Sequence, residues 1–458
     1  MPYVDSYGLR LTGGADAVAA YNAGVGALLR LHQGALPAIA ASVTLDPTFA
    51  LGHAALALVG HELCAPVNVP ARLRDAQLHA RRGTQRERSH VEAVSRHVLG
   101  DSRPLLRHLE AYPTDALLLA TAVPTIAFAG VTEVPAQAWA VVERAAPAYG
   151  DDWWFGGLLA FVRQEQGRFD EAMHLACLSL DVEPGAGHSA HARAHAHYET
   201  GDHAGGVAWM HRWIHGPGVD VDSLSHFSWH AAMHELSLGD LGAVRRRYES
   251  ELLPRPGGGC RGLVDAGSLL WRWALTPGAS DVPPVEDVLA SVDAGALRSP
   301  ATPFLALHAA VALCAVGDAD GLAALARSCD RREGTHAEVA APLARALRRL
   351  VRDDPGGAAD ALGRLAGSLW RLGGSDAQRE VVEETRICAL VRAGRHAEAL
   401  EVIDRRLDRR RCRRDEWFRA EAQLTTMLSP STETDFSSSG DGAGPSTTLP
   451  SSIENLLP

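Results

Sequence analysis

Apolar residues recur three and four apart over most of residues 15–427, and period-two alternation is nearly absent. Ala, Leu and Arg dominate these stretches, and all three favour helices. Five short polar segments break the pattern in the same way. They are Gly167-Arg168-Phe169-Asp170-Glu171-Ala172, Gly201-Asp202-His203-Ala204, Gly239-Asp240-Leu241-Gly242-Ala243, Gly317-Asp318-Ala319 and Gly394-Arg395-His396-Ala397-Glu398-Ala399. Each follows one apolar stretch of helical period and precedes another. Glycine takes the left-handed position that ends a helix, and aspartate, where it follows, caps the next. The interval from Gly167 to Gly201 is 34 and from Gly201 to Gly239 it is 38; from Gly317 to Gly394 it is 77, close to two such units.

Proline supplies a second punctuation mark, at Leu45-Asp46-Pro47, Tyr112-Pro113 and Glu183-Pro184. It cannot continue a helix and starts the next one well. Helix, glycine turn, helix, proline at roughly 34–38 residues is the tetratricopeptide pattern. Residues 153–184 and 383–407 match it best. The predicted fold is therefore all-α, a tetratricopeptide-like solenoid of helical hairpins or a closed ring of them. About eleven helix pairs are expected from 15 to 409, then a last helix near 415–427. Residues 1–14 read as an N-terminal extension. Gly- and Pro-rich breaks at 254–262 and 276–284 read as insertion loops within the array. From 428 to 458 the chain reads as a disordered tail, because Ser, Thr, Gly and Pro make up most of it from Ser431 onward.

Composition removes several chemistries. All 44 cationic side chains are arginine, against 55 acids, for a net charge of −11. Without lysine there is no phosphate-binding loop lysine, no kinase lysine and no lysine Schiff base. A mildly acidic chain is a poor general nucleic-acid binder, so none is expected as a partner. The longest apolar run, 116–131, is too short to span a bilayer and holds Pro124, so no membrane is expected either. Seven cysteines without a CxxC pair fit reduced thiols, and no basic and apolar leader opens the chain. The expected location is the cytoplasm. Seven arginines fall within 405–414 and read as a solvated, helix-capping face rather than a binding patch. No GxSxG motif occurs, and Asp318-Ala319-Asp320-Gly321 lacks the ligands that complete a calcium loop.

Histidine is the least ordinary feature. Of 21, 11 fall between 174 and 234. His188, His191 and His195 share one helix face, as do His226, His230 and His234. The interval from His191 to His226 is 35, and so is that from His195 to His230. That offset is one repeat, so the two pairs occupy equivalent positions on successive first helices. Such helices lie side by side along a concave surface. Four imidazoles there can ligate a transition metal or act as a coupled acid–base group. Seven Trp gather nearby, at 153, 154, 209, 213, 229, 271 and 273, and Trp229 sits between two of the histidines.

Further segments carry a resemblance. They are Arg86-Glu87-Arg88-Ser89-His90-Val91-Glu92-Ala93, the histidine block at 188–197 and His226-Phe227-Ser228-Trp229-His230. Leu263-Val264-Asp265-Ala266-Gly267-Ser268-Leu269-Leu270-Trp271-Arg272 and Leu372-Gly373-Gly374-Ser375-Asp376-Ala377-Gln378-Arg379-Glu380 complete the set. In this order the chain resembles the tetratricopeptide repeat protein 38 family from about residue 15 to 410. The resemblance implies an all-helical repeat protein and points to His191, His195, His197, Trp229, His230, Asp265, Arg272, Gln378 and Arg379 as parts of a shared pattern. His234 departs from it, and the tail lies outside it.

Two functions follow as expectations. In the first, the chain is a binding protein whose concave groove holds a peptide segment or small polar ligand. His226, Trp229, Asp265, Arg272, Gln378 and Arg379 would contact that ligand, with Arg272 as a fork for a carboxylate. In the second, it is a hydrolase or lyase in which His191, His195 and His230 are catalytic, or in which His191, His195, His226 and His230 hold a metal. Nothing in the sequence requires a cofactor; a transition metal is the one that the histidines admit.

Overall fold

The computed structural model describes residues 3–132, 134–254 and 259–428. Among these residues the regular structure is α-helical, apart from a few short π and 3-10 turns and one two-residue pairing of strands, Tyr3–Val4 with Arg10–Leu11. That small hairpin docks on the helix Gln85–Val98: Thr12 donates from its backbone N and its hydroxyl to Glu87, at 2.9 and 2.8 Å. No helix among the described residues is long and apolar enough to cross a membrane.

The helices pair as hairpins, and the glycine turns are where the sequence places them. Gly167, Gly201, Gly239, Gly317 and Gly394 all have φ between 69° and 74°, the left-handed region that a side chain disfavours. Asp202, Asp240 and Asp318 then accept from the backbone N–H three residues on, closing the first turn of the next helix. After Gly167 and Gly394 an arginine stands at that position and makes no side-chain cap. The last helix is Arg413–Leu428. Thr276 to Pro284 is a loop, as expected. The glycine-rich break at 254–262 is not one throughout. Gly259–Gly262 is a helical turn that runs through the π turn Leu263–Gly267 into Ser268–Leu275. Leu263 and Val264 are buried there, and their packing outweighs the poor helix propensity of glycine. Residues 255–258 of that break, and the tail from 429 to 458, lie outside the described residues.

The array does not stay open; it curls until its two ends meet its middle. At the first hairpin turn, the Asp222 backbone N donates to the Leu31 carbonyl at 2.8 Å and that of Gln33 to the Asp220 carbonyl at 3.1 Å. From the other end, Tyr198 donates to Glu380 at 3.0 Å and Arg410 to Glu199 at 3.0 Å. Inner helices are consequently covered on every side. In Gly187–Glu199 only Arg193 is not buried, and from His226 onward the whole of Leu224–Ser237 is buried. This explains their lack of an apolar stripe. A helix surrounded by protein has no solvent face, and histidine is a polar residue that can both donate and accept inside a core.

Two large hydrophobic cores result, one built from residues 11–192 and one from 198–422. The helix Gly187–Glu199 lies at the seam. It packs tightly against Trp153–Glu165 because Gly157 admits the Ser189 hydroxyl. A Cβ at 157 would sit 2.2 Å from Ser189 Oγ and 3.2 Å from its backbone N. Gly157→Ala is therefore expected to cost about 1–3 kcal/mol by overpacking, measured as a lower urea midpoint at unchanged slope.

The arginine-rich end is a solvated face only in part: Arg405, Arg409, Arg411 and Arg413 are exposed, and the other three are not. Arg406, Arg410 and Arg414, four apart on one side of the chain end, are 4%, 4% and 2% exposed. They join Arg272, Glu380, Glu384 and Asp415 in a buried ionic network. The physical reason is the closure: these guanidiniums fill the interior where the final helices return against the middle ones.

Candidate functional site

The one-repeat offset between the two histidine pairs has a direct spatial result. Gly187–Glu199 and Leu224–Ser237 lie side by side, and their equivalent turns face each other. His191 Nε2 is 3.1 Å from His195 Nε2 and 3.1 Å from His226 Nε2. The His230 ring centroid is 4.8 Å from that of His191, 4.6 Å from His195 and 4.8 Å from His226. One nitrogen from each of His191, His195 and His230 falls within 4.8 Å of the others. On the far side His226 Nδ1 donates to Asp265 Oδ1 at 2.8 Å, from the π turn. Phe161 stacks on His191, and Trp229 lies parallel to His226 with centroids 5.5 Å apart.

These rings do not line a groove. His191, His195, His226, His230 and Trp229 are each 1–2% exposed, because closure of the array covers the face that an open solenoid would present. Their electrostatics follow from that enclosure. Burial drives His191 and His230 well below the usual imidazole range, and neighbouring histidines add to the effect. Burial also lowers His195, to about 3. His226 is lowered by burial too, with Asp265 pulling the other way. The cluster is neutral at pH 7. A catalytic base must touch its substrate, and enclosed rings cannot do so while the helices stay packed.

The other residues expected to bind ligand fall in different places. Asp265 serves His226. Arg272 is fully buried and spends its donors internally, on Glu384 at 2.8 Å and on the carbonyls of Ala377 and Gln378 at 2.6 and 3.1 Å. It is a structural cation rather than a fork for a ligand. Gln378 closes a capping box with Ser375 at the start of Asp376–Arg392. His197 pairs with Asp202 at 3.0 Å, and His234 faces His203. Trp154, Trp229, Trp271 and Trp273 are core residues.

Arg379 alone among them reaches an open cavity. Its guanidinium holds the Gly373 and Gly374 carbonyls and Asp376, and it lines a cleft of about 550 Å³ between the 122–139 segment and the Gly373-Gly374 turn. Trp139, Phe161, Glu165 and Trp370 complete the walls that matter chemically. Phe161 separates this cleft from the histidines, with its ring on His191. Glu165 is half-buried, accepts from the neighbouring Gln164 amide, and has no ion-pair partner among the described residues. Burial pushes its carboxyl up to about 7, an effect only partly offset by Arg379. A second cavity of about 250 Å³ shares Trp370, Asp376 and Arg379 with the first and extends along Asp376–Arg392. Sequence reasoning missed Glu165 and Trp370. They come from distant parts of the chain, and no short motif marks either.

A second buried histidine set was also missed. His90 and His108 converge on Asp115 at 2.8 and 3.1 Å, with Arg86 at 3.1 Å on the same carboxylate. The Asp115 charge is spent on these three partners, and the set ties Gln85–Val98 to Arg103–Ala111 and the following turn.

No family model matches the chain. Among solved structures it is similar to yeast Tom70, with a TM-score of 0.35 and 11% identity over 90% of this chain and 89% of that one. It is also similar to the TPR domain of P58(IPK), with a TM-score of 0.21 and 13% identity over 82% and 89%. Scores this low identify no relative. The helical-hairpin assignment stands on the helices, glycine turns and caps already described.

Proposed function

We propose that the chain is a helical-repeat binding protein whose partner is a peptide segment carrying a basic side chain. The observation that carries this reading is the Glu165 carboxyl, without an ion-pair contact among the described residues, in an aromatic-walled cleft. The volume is in the range of ligand sites. A cation entering between Trp139, Phe161 and Trp370 gains the attraction of the ring faces and meets Glu165. It supplies the ion-pair contact that Glu165 lacks in the free protein, where Arg379 acts on it only through space. The adjoining cavity along Asp376–Arg392 gives an extended segment room to continue. Seven free cysteines suit a reducing compartment, and the cytoplasm is the proposed location. Membership of the tetratricopeptide repeat protein 38 family belongs to the same proposal, supported by the five segments that carry the resemblance.

Labelled decapeptide pools with a fixed central Arg, Lys, Glu or Ala test this on the intact chain. The Arg and Lys pools are expected to bind roughly tenfold or more tightly than the Glu and Ala pools. Glu165→Gln should erase that preference, and Trp370→Ala should weaken binding of the cationic pools. Equal retention of all four pools, or a preference that survives Glu165→Gln, removes the cleft as the recognition site.

A further inference from the structure

Hydrogen-bond accounting in the histidine cluster does not close with protons alone. His226 donates from Nδ1 to Asp265, so in the neutral ring its Nε2 carries a lone pair. His191 Nε2 lies 3.1 Å from that lone pair and 3.1 Å from His195 Nε2. A ring nitrogen bears one hydrogen or one lone pair, never both. If His191 donates, its single hydrogen is shared between two acceptors. If it does not, lone pair faces lone pair. Three converging nitrogens thus have one good hydrogen bond between them. Around them His191 Nδ1, His195 Nδ1, His230 Nε2 and Asp265 Oδ2 are buried without hydrogen-bond partners. Buried polar atoms left over in this number call for a missing component.

A cation among the Nε2 atoms removes the lone-pair conflict and engages the unpartnered His230 Nε2, which a proton does not. We propose that His191, His195, His226 and His230 bind one divalent first-row transition ion of the zinc type, with Asp265 as the carboxylate behind His226. The spacing suits it: imidazoles bind zinc at about 2.0–2.1 Å, which sets two tetrahedral ligands roughly 3.4 Å apart. The two 3.1 Å contacts of His191 need to open slightly. His195 and His230, whose nitrogens lie within 4.8 Å of that of His191 and of each other, need to close, and His226 joins them through its contact with His191. The donor set is all nitrogen, the choice of zinc, copper or nickel rather than calcium or magnesium. Neutral rings protonated at Nδ1 are the form that ligates through Nε2, so binding fixes that tautomer and releases no proton. A His–Asp pair behind a ligand is the arrangement that fixes ring tautomer and orientation in metal sites. With four protein ligands and no open position, the ion is a structural staple between Gly187–Glu199 and Leu224–Ser237. It lies behind Phe161 and is independent of the peptide cleft.

Cobalt(II) titration of the tag-free, chelator-stripped chain at pH 7.5 reads the site directly. The expected result is uptake of one ion per chain with the intense visible bands of a tetrahedral nitrogen site, displaced by zinc. Zinc alone should raise the melting temperature of the stripped protein. His195→Gln with His230→Gln should lose both effects, while Asp265→Asn should weaken binding roughly 10- to 100-fold. The exposed pair His211 and His215, one helical turn apart, is the competing explanation. His211→Ala with His215→Ala is expected to leave the spectrum intact. Should the inner double variant fail to fold, the wild-type spectrum and Asp265→Asn decide. Absence of a tetrahedral spectrum in the folded wild-type chain overturns the proposal. So does a spectrum unchanged by Asp265→Asn or lost with the His211/His215 pair.

Discussion

Acidifying the chain from pH 7.5 to pH 5 is expected to destabilise it by about 6 kcal/mol. His191, His195 and His230 are held neutral by burial, His195 with a pKa of about 3 and the other two well below the ordinary value of 6.5. In the unfolded chain each takes a proton as the pH falls through 6.5. The native state binds none until far lower, so the unfolded state binds more protons across this window and stability falls with pH. The loss starts near pH 6.5 and is complete only once the folded pKa is passed. At pH 5 each ring has cost about 2 kcal/mol, and the three together about 6 kcal/mol. Total stabilities run at about 5–15 kcal/mol, so that loss takes from about two-fifths to all of the folding free energy. Urea midpoints at pH 7.5, 6.5 and 5.5 check it: a steep decline is expected, and a flat profile contradicts the enclosure of the rings.

Glu384→Ala is expected to cost about 3–5 kcal/mol at pH 7.5, the penalty for stripping the partner from a buried ion pair. Glu384 is fully buried and meets Arg272 at 2.8 Å, Arg414 at 2.9 Å and Arg406 at 3.4 Å. Burial by itself would raise its pKa, but these three guanidiniums more than offset that and hold it at about 2. A depressed carboxylate contributes stability that is complete above the unfolded value near 4.5 and lost as pH falls through about 2. That window lies below the histidine one, so the two effects separate on the pH axis. Glu383 is the control. It pairs with Arg406 at 3.0 Å but its side chain is 37% exposed, and Glu383→Ala should cost under about 1 kcal/mol. Urea unfolding of the two variants side by side shows whether the network supports the closure or merely decorates it.

Local features of this fold are legible in the sequence. Glycine at a hairpin turn needs a left-handed backbone, and Asp202, Asp240 and Asp318 cap where they must, whatever lies elsewhere in the chain. The repeat offset likewise tells which turns of neighbouring helices face each other, and so brings His191, His195, His226 and His230 together. What a repeat pattern does not encode is how far the superhelix curls. That depends on small angles summed over many hairpins. Closure decides whether a first helix lines a groove or lies in the core. Trp229, expected against a ligand, therefore lies in the core, and Arg406, Arg410 and Arg414, expected in water, lie in ion pairs. Glu165 and Trp370 are the reverse case. Each is ordinary in its own helix or turn and becomes part of a cleft only when distant segments of the chain meet.

Nitrogen-15 spectra of the histidine side chains, recorded between pH 7.5 and 6 where the fold persists, test the enclosure most directly. The account predicts neutral rings at 191, 195 and 230 whose shifts do not move across that range. Resonances of those three residues that titrate with a midpoint near 6.5 would show water-exposed imidazoles, and would contradict both the closed interior and the site built in it.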